Sequence, residues 1–353
     1  MALGEQHPSS PAEAVASASS AYMQQQELSN TIRLSALEMP SLSEVLFGAR
    51  GFDTFAALPS NIHAVESSLL FAAGLQTFVV LVGPSGWGKS HLLDAVVRRI
   101  RMEYGHCGCR KMTAGEFAAT GARSDTHAPL VLDDVQDVLN KPKQRQQLQL
   151  TLERRVKTGR QTILAFTGAK PTRQVRGFLP CGREWVVCTI GQPDPAERQI
   201  VVRHLCSQEN LLLSENLVRL LGRRLEANCS GLKGALQRLK IHQRTWLDQR
   251  ATLMACGVLN PFFADNPGWD LREAVAETAE GLRQVIEPRD LAIYLLAAEA
   301  MLPEADVARY FGVEPAQVYA ISSSMRQSVK QSPSTAAIVE TATERVVERL
   351  LSE

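Results

Sequence analysis

The sequence predicts an α/β P-loop domain with a helical lid, followed by an all-α helix-turn-helix domain. Three observations favour this fold class. Apolar, β-branched runs alternate with helix-length amphipathic segments between residues 51 and 190, which is typical of a sheet of buried parallel strands. A glycine-rich phosphate-binding pattern follows the first of these runs. Beyond residue 192 the apolar residues recur only at helical spacing.

The predicted strands are four runs of aliphatic and β-branched residues bounded by polar turns. They cover residues 77–82, 130–132, 162–166 and 185–190. The 353 residues allow two or three domains, and 45% hydrophobic with 21% charged residues is typical of a soluble globular protein. No apolar run approaches the roughly 18 residues of a membrane span, and the first twenty residues lack a secretory signal pattern. We therefore expect a cytoplasmic location and no membrane partner.

Shifts in composition divide the chain into six segments. The start is rich in Ser, Ala and Gln, with too few large apolar residues to offset the entropy of ordering. Residues 257–268 are rich in Gly, Asn and Pro, which is typical of a loop. We expect a disordered arm over 1–47, an α/β subdomain over 48–191, a helical lid over 192–252, a linker over 253–269, a helix-turn-helix domain over 270–332 and a C-terminal helix over 333–353.

The phosphate-binding pattern GxxxxGK[ST] lies between the first predicted strand and a predicted helix, as its chemistry requires. Glycines let backbone N–H groups close around phosphate oxygens, and the helix N-terminus favours negative charge. Lys89 would reach the β- and γ-phosphates, and the Ser90 hydroxyl would bind Mg²⁺. The predicted ATP-binding residues are Gly83, Pro84, Ser85, Gly86, Trp87, Gly88, Lys89, Ser90 and His91. The pattern therefore predicts ATP and Mg²⁺ as cofactors.

Two carboxylates follow the second predicted strand, about forty residues after the P-loop. Asp133 would hold the magnesium shell. Asp134 is the candidate catalytic residue, because it would orient or deprotonate the attacking water. The alternative is that the pair only ends a strand in a turn. The preceding P-loop at a suitable distance favours the functional interpretation.

Several stretches between about residues 51 and 330 carry more than the generic P-loop pattern. They are 51–55 with Asn61, 86–93 with its His91, 132–136 with its Gln136, 228–236 and 287–295. Together they resemble the DnaA family of bacterial replication initiators. The resemblance implies an AAA+ fold, in which 51–55 lies beside the adenine pocket, 228–236 is the sensor 2 helix of the lid and 287–295 begins the C-terminal DNA-binding domain. It also implies DNA, replication proteins and an ATP-dependent homo-oligomer as partners.

Three positions depart from the family pattern or leave its residues unassigned. Ser230 stands where the family has the sensor arginine of the lid, and Thr167 is the only polar candidate for the sensor at the end of a strand. Arg176 and Arg183 are both candidates for the arginine finger. Because loss of such an arginine slows phosphoryl transfer by about a thousandfold or more, we expect ATP binding with slow hydrolysis. Whether the protein is an enzyme stays open, with slow ATPase activity as the alternative to none.

The segment 306–321 has the spacing of a helix-turn-helix, with Ala308, Gly312 and Val318 at the packing and turn positions. An ordinary helical hairpin uses the same residue types, and the family resemblance favours DNA-binding ancestry. Residues 314–316 (Glu-Pro-Ala) replace the family's base-reading triplet and offer no donor matched to base edges. The remaining DNA-binding candidates are Arg289, Gln317 and Arg326.

Charge is distributed unevenly between two segments. Residues 141–176 hold ten basic residues and one acidic residue, whereas residues 270–330 hold six basic and ten acidic residues. Because affinity for DNA depends largely on neutralising phosphates, we expect weak or altered DNA recognition by the C-terminal domain. The basic segment would bind single-stranded DNA or an acidic partner, or it is an ordinary solvated helix face.

The function that these features favour is initiation or regulation of DNA replication, with nucleotide-dependent assembly on DNA. One alternative is a transcription regulator or a DnaA-interacting adaptor without box-specific DNA binding. We expect residues 1–47 not to form the folded N-terminal domain of the family's initiators, which favours the adaptor. A second alternative is an AAA+ protein of the helicase-loader type, although such proteins usually lack an appended helix-turn-helix.

Overall fold

The computed structural model describes residues 51–104, 109, 111–120, 128–168, 173–181, 184–225, 227–263, 269–282 and 286–352. The predicted arm over 1–47 and Arg183 lie outside these residues. The predicted fold class is confirmed: a parallel α/β sheet is followed by a helical C-terminal region.

Five parallel strands form the main sheet, in the order β2-β3-β4-β1-β5. They are β1 (Phe78–Gly83), β2 (Lys111–Thr113), β3 (Leu130–Asp133), β4 (Thr162–Thr167) and β5 (Val186–Thr189). Four of them coincide with the predicted apolar runs. The short edge strand β2 was not predicted, because its Lys-Met-Thr residues are only half-buried and form no apolar run.

Helices cover both faces of this sheet. In the α/β part they are α1 (Ile62–Ala72), α2 (Lys89–Tyr104), α3 (Ala114–Ala119), α4 (Gln136–Leu139), α5 (Pro142–Thr158) and α6 (Arg173–Phe178). Val79 and Leu81 pack with residues of α1 and α2, whereas Val80 and Val82 pack with residues of α3 to α6. This alternation explains why every residue of β1 is apolar or glycine, since both faces of the strand are buried.

The lid consists of α7 (Pro195–Glu209), α8 (Glu215–Arg224), α9 (Cys229–His242) and α10 (Gln249–Leu259). A pair of two-residue parallel strands, β6 (Leu212–Leu213) and β7 (Thr245–Trp246), corrects the all-helical prediction for this segment. The fully buried Trp246 anchors this pair. Such short strands leave no periodic signal in a sequence dominated by helices.

The linker predicted over 253–269 is helical in its first part, because α10 runs to Leu259 and a 3-10 turn covers Asn260–Phe262. By composition alone, Gly257 is typical of a loop residue. In the structure it lies inside α10, where an added Cβ would overlap the backbone carbonyl of Ala300. Glycine therefore permits close packing here, and the other predicted domain boundaries stay predictions.

The C-terminal region has five helices: α11 (Leu271–Glu280), α12 (Pro288–Tyr294), α13 (Glu304–Phe311), α14 (Pro315–Gln331) and α15 (Pro333–Ser352). A π-helical turn, Leu295–Glu299, extends α12. Gly312 has a φ of 64° and ends α13 in the left-handed conformation, so α14 turns away from it. Helix α15 packs back against α8, α10, α11 and α14. Among the described residues, no helix is both long and apolar enough to cross a membrane.

Candidate nucleotide-binding site

The P-loop connects β1 to α2 at the carboxyl edge of the sheet, where ligands of open α/β sheets bind. Gly86 and Gly88 have φ values of 79° and 96°, which only glycine adopts without strain. A Cβ on Gly88 would lie 2.5 Å from the Phe55 ring, and one on Gly86 would overlap the Asn228 side chain. Both glycines are therefore required by backbone conformation and by close neighbours.

Lys89 lies inside the loop, with 5% of its surface exposed. Its Nζ donates hydrogen bonds of 2.8 Å to the carbonyl oxygens of Gly83 and Pro84. Burial lowers the pKa of Lys89, and the carboxylates of Asp133 and Asp134 oppose this shift. The ammonium is thus held where the predicted β- and γ-phosphates would lie, and it can exchange carbonyl partners for phosphate oxygens.

The entry stretch 51–55 forms one wall of the loop. The Nε2 atom of His91 lies 3.0 Å from the Thr54 hydroxyl and 3.1 Å from the Gly51 carbonyl oxygen. Its ring meets the edge of the Phe55 ring at a centroid distance of 5.2 Å. The structure therefore places His91 against the entry stretch, and its predicted contact with ATP stays a prediction.

Asp133 ends β3 and is 4% exposed. Its Oδ1 accepts a hydrogen bond of 3.0 Å from the backbone N–H of Asp134. The Nζ atom of Lys111, on β2, lies 3.8 Å from Asp133 Oδ2 and 3.4 Å from the Ser90 carbonyl oxygen. One ammonium thus joins the two predicted Mg²⁺ residues, Ser90 and Asp133. Sequence reasoning missed Lys111, because only the strand register reveals its position.

The hydroxyl of Ser90 and the carboxylate of Asp133 are hard oxygen ligands, which Mg²⁺ prefers. Among the described residues, no group of three or more His, Cys, Asp or Glu side chains could hold a metal ion. Mg²⁺ in nucleotide sites keeps several waters and binds through one or two protein oxygens together with phosphates. Ser90 and Asp133 would supply the protein ligands, and the ion would offset phosphate charge.

Asp134 adopts a φ of 50°, which is uncommon for a residue with a side chain. Its Oδ1 accepts a hydrogen bond of 3.0 Å from Gln136 Nε2. The Gln136 Oε1 atom accepts a bond of 2.9 Å from the backbone N–H of Thr167. Gln136 therefore ties the candidate catalytic carboxylate to the candidate sensor at the end of β4. The predicted site residues did not include Gln136, although its place two residues after Asp134 was a usable signal.

The lid reaches the P-loop through the N-terminus of α9. The backbone N–H of Cys229 donates a hydrogen bond of 3.2 Å to the Gly86 carbonyl oxygen. Asn228 caps α9, because its Oδ1 accepts a bond of 3.0 Å from the Gly231 N–H. Ser230, the sensor candidate, is exposed on the first turn of this helix. Ser230, where the family resemblance implies an arginine, therefore directly follows the residue whose backbone contacts the loop.

Known proteins that are similar to this chain include several DnaA proteins. The chromosomal replication initiator protein DnaA of Deinococcus radiodurans is 22% identical over 335 residues, covering 84% of this chain and 70% of that protein. The DnaA protein of Thermus thermophilus is 24% identical over 297 residues, covering 74% and 67%. No protein-family model matches the chain. The chain is thus similar to DnaA proteins over most of its length.

Solved structures show the same fold for this DnaA-like chain. AMPPCP-bound DnaA from Aquifex aeolicus superposes with a TM-score of 0.51 at 16% identity, covering 86% of this chain and 98% of that chain. A replication initiator DnaA bound to AMPPCP and single-stranded DNA gives a TM-score of 0.50 at 16% identity, with the same coverage. At this identity the likeness concerns the fold alone.

One arginine-finger candidate, Arg176, lies among the described residues. Arg176 is exposed on α6, and its side chain forms no hydrogen bond or ion pair with the residues that the structure describes. Arg183 lies outside the described residues. Both assignments stay predictions.

The DNA-binding candidates lie at the surface of the C-terminal helices. Arg289 Nη2 donates a hydrogen bond of 3.1 Å to the Phe311 carbonyl oxygen at the end of α13. Gln317 Oε1 accepts one of 3.3 Å from the Glu314 N–H at the start of α14. Arg326 is exposed on α14. Arg289 and Gln317 thus already form hydrogen bonds with backbone groups at helix ends.

Proposed function

We propose that this DnaA-like protein binds ATP with Mg²⁺ and that bound nucleotide controls its assembly on DNA during initiation or regulation of replication. The observation that carries this proposal is the direct bond between the lid and the P-loop, from Cys229 N–H to the Gly86 carbonyl oxygen. A nucleotide in the loop would lie beside the first turn of α9, so its presence would change the position of the lid.

Holding nucleotide fits the site better than rapid turnover. By the family resemblance, Ser230 stands where an arginine would stabilise phosphoryl transfer. The N–H of Thr167 is already bonded to Gln136, and Asp134 is bonded to the same side chain. We therefore propose ATP binding with slow hydrolysis. Asp134→Ala would leave ATP affinity within about threefold and abolish the residual turnover.

Contact with DNA is better supported on α5 than on the C-terminal helices. Lys143, Arg154 and Lys157 are exposed, and none forms an ion pair with the residues that the structure describes. Arg155 does not add to this surface, because it is buried and donates hydrogen bonds to the carbonyl oxygens of Ala128 and Gln161. Arg155 is therefore one basic residue of 141–176 that adds no exposed charge.

A second candidate function is an adaptor without box-specific DNA binding. The observation that favours it is the engagement of Arg289 and Gln317 with helix ends. An adaptor would bind nucleotide as above but meet DNA weakly or not at all.

The first experiment measures binding of a fluorescent ATP analogue. Lys89→Met is expected to weaken affinity about a hundredfold, because hydrogen bonds to charged groups contribute about 1.5–3 kcal/mol each. Lys157→Met, which removes an equal charge from α5, is the control and would leave affinity unchanged. Equal affinity of the wild type and Lys89→Met would contradict the nucleotide proposal.

The second experiment measures assembly on single- and double-stranded DNA by sedimentation, with ATP or ADP. The initiator proposal expects larger complexes with ATP, weakened by the triple change Lys143→Gln, Arg154→Gln and Lys157→Gln and by added salt. Arg289→Ala is the comparison. Assembly lost only in Arg289→Ala would assign DNA contact to the C-terminal helices, and no DNA complex with either nucleotide would favour the adaptor.

A further inference from the structure

Lys111 occupies a position beside the nucleotide site that the motifs do not explain. In the sheet Thr113 pairs with Asp133, and Lys111 lies two residues earlier on β2. Because side chains alternate along a strand, Lys111 and Thr113 point to the same face as Asp133. Helix α2, which begins with the P-loop lysine, covers this face.

The ammonium of Lys111 contacts three groups of the site. Its Nζ lies 2.7 Å from Asp94 Oδ1, 3.4 Å from the Ser90 carbonyl oxygen and 3.8 Å from Asp133 Oδ2. Asp94 follows Ser90 by one helical turn, so both face β2. The side chains of Lys111 and Asp94 are 25% and 28% exposed, and that of Asp133 is 6% exposed. Charges in such partly buried positions are screened less than charges at the surface.

This arrangement places a fixed protein cation next to the carboxylate that would hold Mg²⁺. We propose that Lys111 is a positioning residue of the nucleotide site, and that its charge beside Asp133 makes ATP binding less dependent on Mg²⁺. The inference rests on the proposed ATP binding. Without Lys111, the carboxylate of Asp133 would repel the triphosphate more strongly unless Mg²⁺ neutralised it.

A purely structural role is the competing explanation. Lys111 also ties the short edge strand β2 to α2 through Asp94. In that case its removal would lower the melting temperature, and ATP affinity would change equally with and without Mg²⁺. The ratio of the two affinities therefore separates the roles.

The test measures the dissociation constant of a fluorescent ATP analogue in Mg²⁺ and in EDTA, and takes the ratio of EDTA to Mg²⁺ values. Lys111→Met is expected to raise this ratio about tenfold. Lys111→Arg would keep it near the wild-type ratio. Asp94→Asn removes a negative charge and would lower the ratio, opposite to Lys111→Met. Lys157→Met, a charge loss on α5, is the control and would leave it unchanged.

Two results would overturn the inference, and they differ in whether the proposed ATP binding also fails. An unchanged ratio in Lys111→Met, with a lower melting temperature, would leave ATP binding intact and assign Lys111 to structure alone. Failure of the wild type to bind the analogue under either condition would overturn the proposed function together with this inference. A raised ratio in Lys111→Met and a lowered ratio in Asp94→Asn support it.

Discussion

Two of the joints between the lid and the rest of the described structure have opposite character. The lid helix α7 also bonds to the α/β part, through Glu197 to the Ser60 N–H and through Gln208 to the Thr54 carbonyl oxygen. At the P-loop, the polar contact is the hydrogen bond from Cys229 N–H to the Gly86 carbonyl oxygen. At the C-terminal helices, Arg250 of α10 forms a two-pronged ion pair with Glu299, whose Oε1 also accepts a bond of 2.6 Å from the Tyr294 hydroxyl.

Further contacts reinforce the second joint. Gly257 of α10 packs directly against the Ala300 backbone. Arg223 of α8 donates a hydrogen bond of 3.1 Å to the Leu351 carbonyl oxygen near the end of α15. The apolar core that includes residues of α8, α10, α11, α12 and α15 also contains residues of α1 and α2, so the difference between the joints lies in these polar and backbone contacts. We infer that the lid and the C-terminal helices move together, and that a nucleotide acts on the weaker joint at the P-loop.

The largest expected effect comes from disrupting the strong joint, between α10 and the C-terminal helices, at the contact of Gly257 with Ala300. Gly257→Ala adds a Cβ that would overlap the Ala300 carbonyl oxygen, which is backbone and cannot turn away. The gain in helix propensity of about 1 kcal/mol is smaller than the strain. We expect a net loss of about 3 kcal/mol in the free energy of unfolding, measured by urea titration.

Gly234→Ala is the matched control for this change. Gly234 lies inside α9, and the nearest atom to an added Cβ is a Phe262 ring carbon at 3.8 Å, an ordinary contact. This variant is expected to be neutral or more stable by up to about 1 kcal/mol. If both glycine variants behaved alike, close packing at Ala300 would not explain Gly257.

A smaller effect is expected from removing Arg250, the cation that pairs with the buried carboxylate of Glu299. Arg250→Met leaves Glu299, whose side chain is 2% exposed, without its cation. Loss of one partner of a buried pair costs about 3–5 kcal/mol, but Arg250 is itself mostly exposed, so water partly replaces it. We expect a loss of about 2–3 kcal/mol, or roughly 5–10 °C in melting temperature.

Arg203→Met tests whether burial of the carboxylate increases the contribution of an ion pair to stability. Arg203 forms a 2.7 Å ion pair with Glu215 in which both side chains are exposed, and such surface pairs contribute little. The melting temperature should therefore barely change. Equal losses in the two arginine variants would mean that the Arg250 joint is no stronger than a surface contact.

The two joints also differ in how far the sequence predicts them. The P-loop and Asp133 were predicted because their chemistry requires fixed residue types at fixed spacing along the chain. The lid joint at Gly86 and the bond from Gln136 to Thr167 depend on segments far apart in sequence, and no local pattern encodes their distances. The same holds for Lys111, whose neighbours follow from strand register.

The elements of the fold also divide into those that local sequence predicts and those that depend on distant contacts. Apolar runs predicted β1, β3 and β4, because strands buried on both faces are continuously apolar. The edge strand β5 was predicted from its Val-Val-Cys run, although it is only partly buried. The half-buried β2 left no such signal. The sequence predicts a loop at Gly257, because glycine in a helix is uncommon unless another backbone passes close by. Contacts between segments far apart in sequence therefore determine the structure at β2 and at Gly257, where local propensity does not predict it.

Alkaline pH should weaken the strong joint selectively. Burial and the hydrogen bond to Glu299 raise the pKa of Tyr294 to about 12. The unfolded tyrosine loses its proton near pH 10, so stability is fully present below pH 10 and is lost as the pH rises toward 12. Between pH 9.5 and 11.5 the wild type should lose about 1–2 kcal/mol more than Tyr294→Phe.

Comparison of these two proteins isolates Tyr294 from other alkaline groups. Burial also raises the pKa values of Cys206 and Cys256 to about 12, but both thiols are present in the wild type and in Tyr294→Phe. Their contribution therefore cancels in the difference. Parallel pH profiles of the two proteins would show that the Tyr294 hydroxyl is not coupled to the stability of this joint.

Among the changes made at the two joints, the smallest loss of stability is expected at the P-loop. Asn228→Ala removes the N-cap of α9 and should cost about 1 kcal/mol. Ser214→Ala removes the N-cap of α8, away from the P-loop, at a similar cost. Only Asn228→Ala should also alter affinity for the ATP analogue, because Asn228 lies against Gly86. Equal affinity in the two cap variants would contradict the view that nucleotide acts through the α9 contact, since the lid would then sense nucleotide elsewhere.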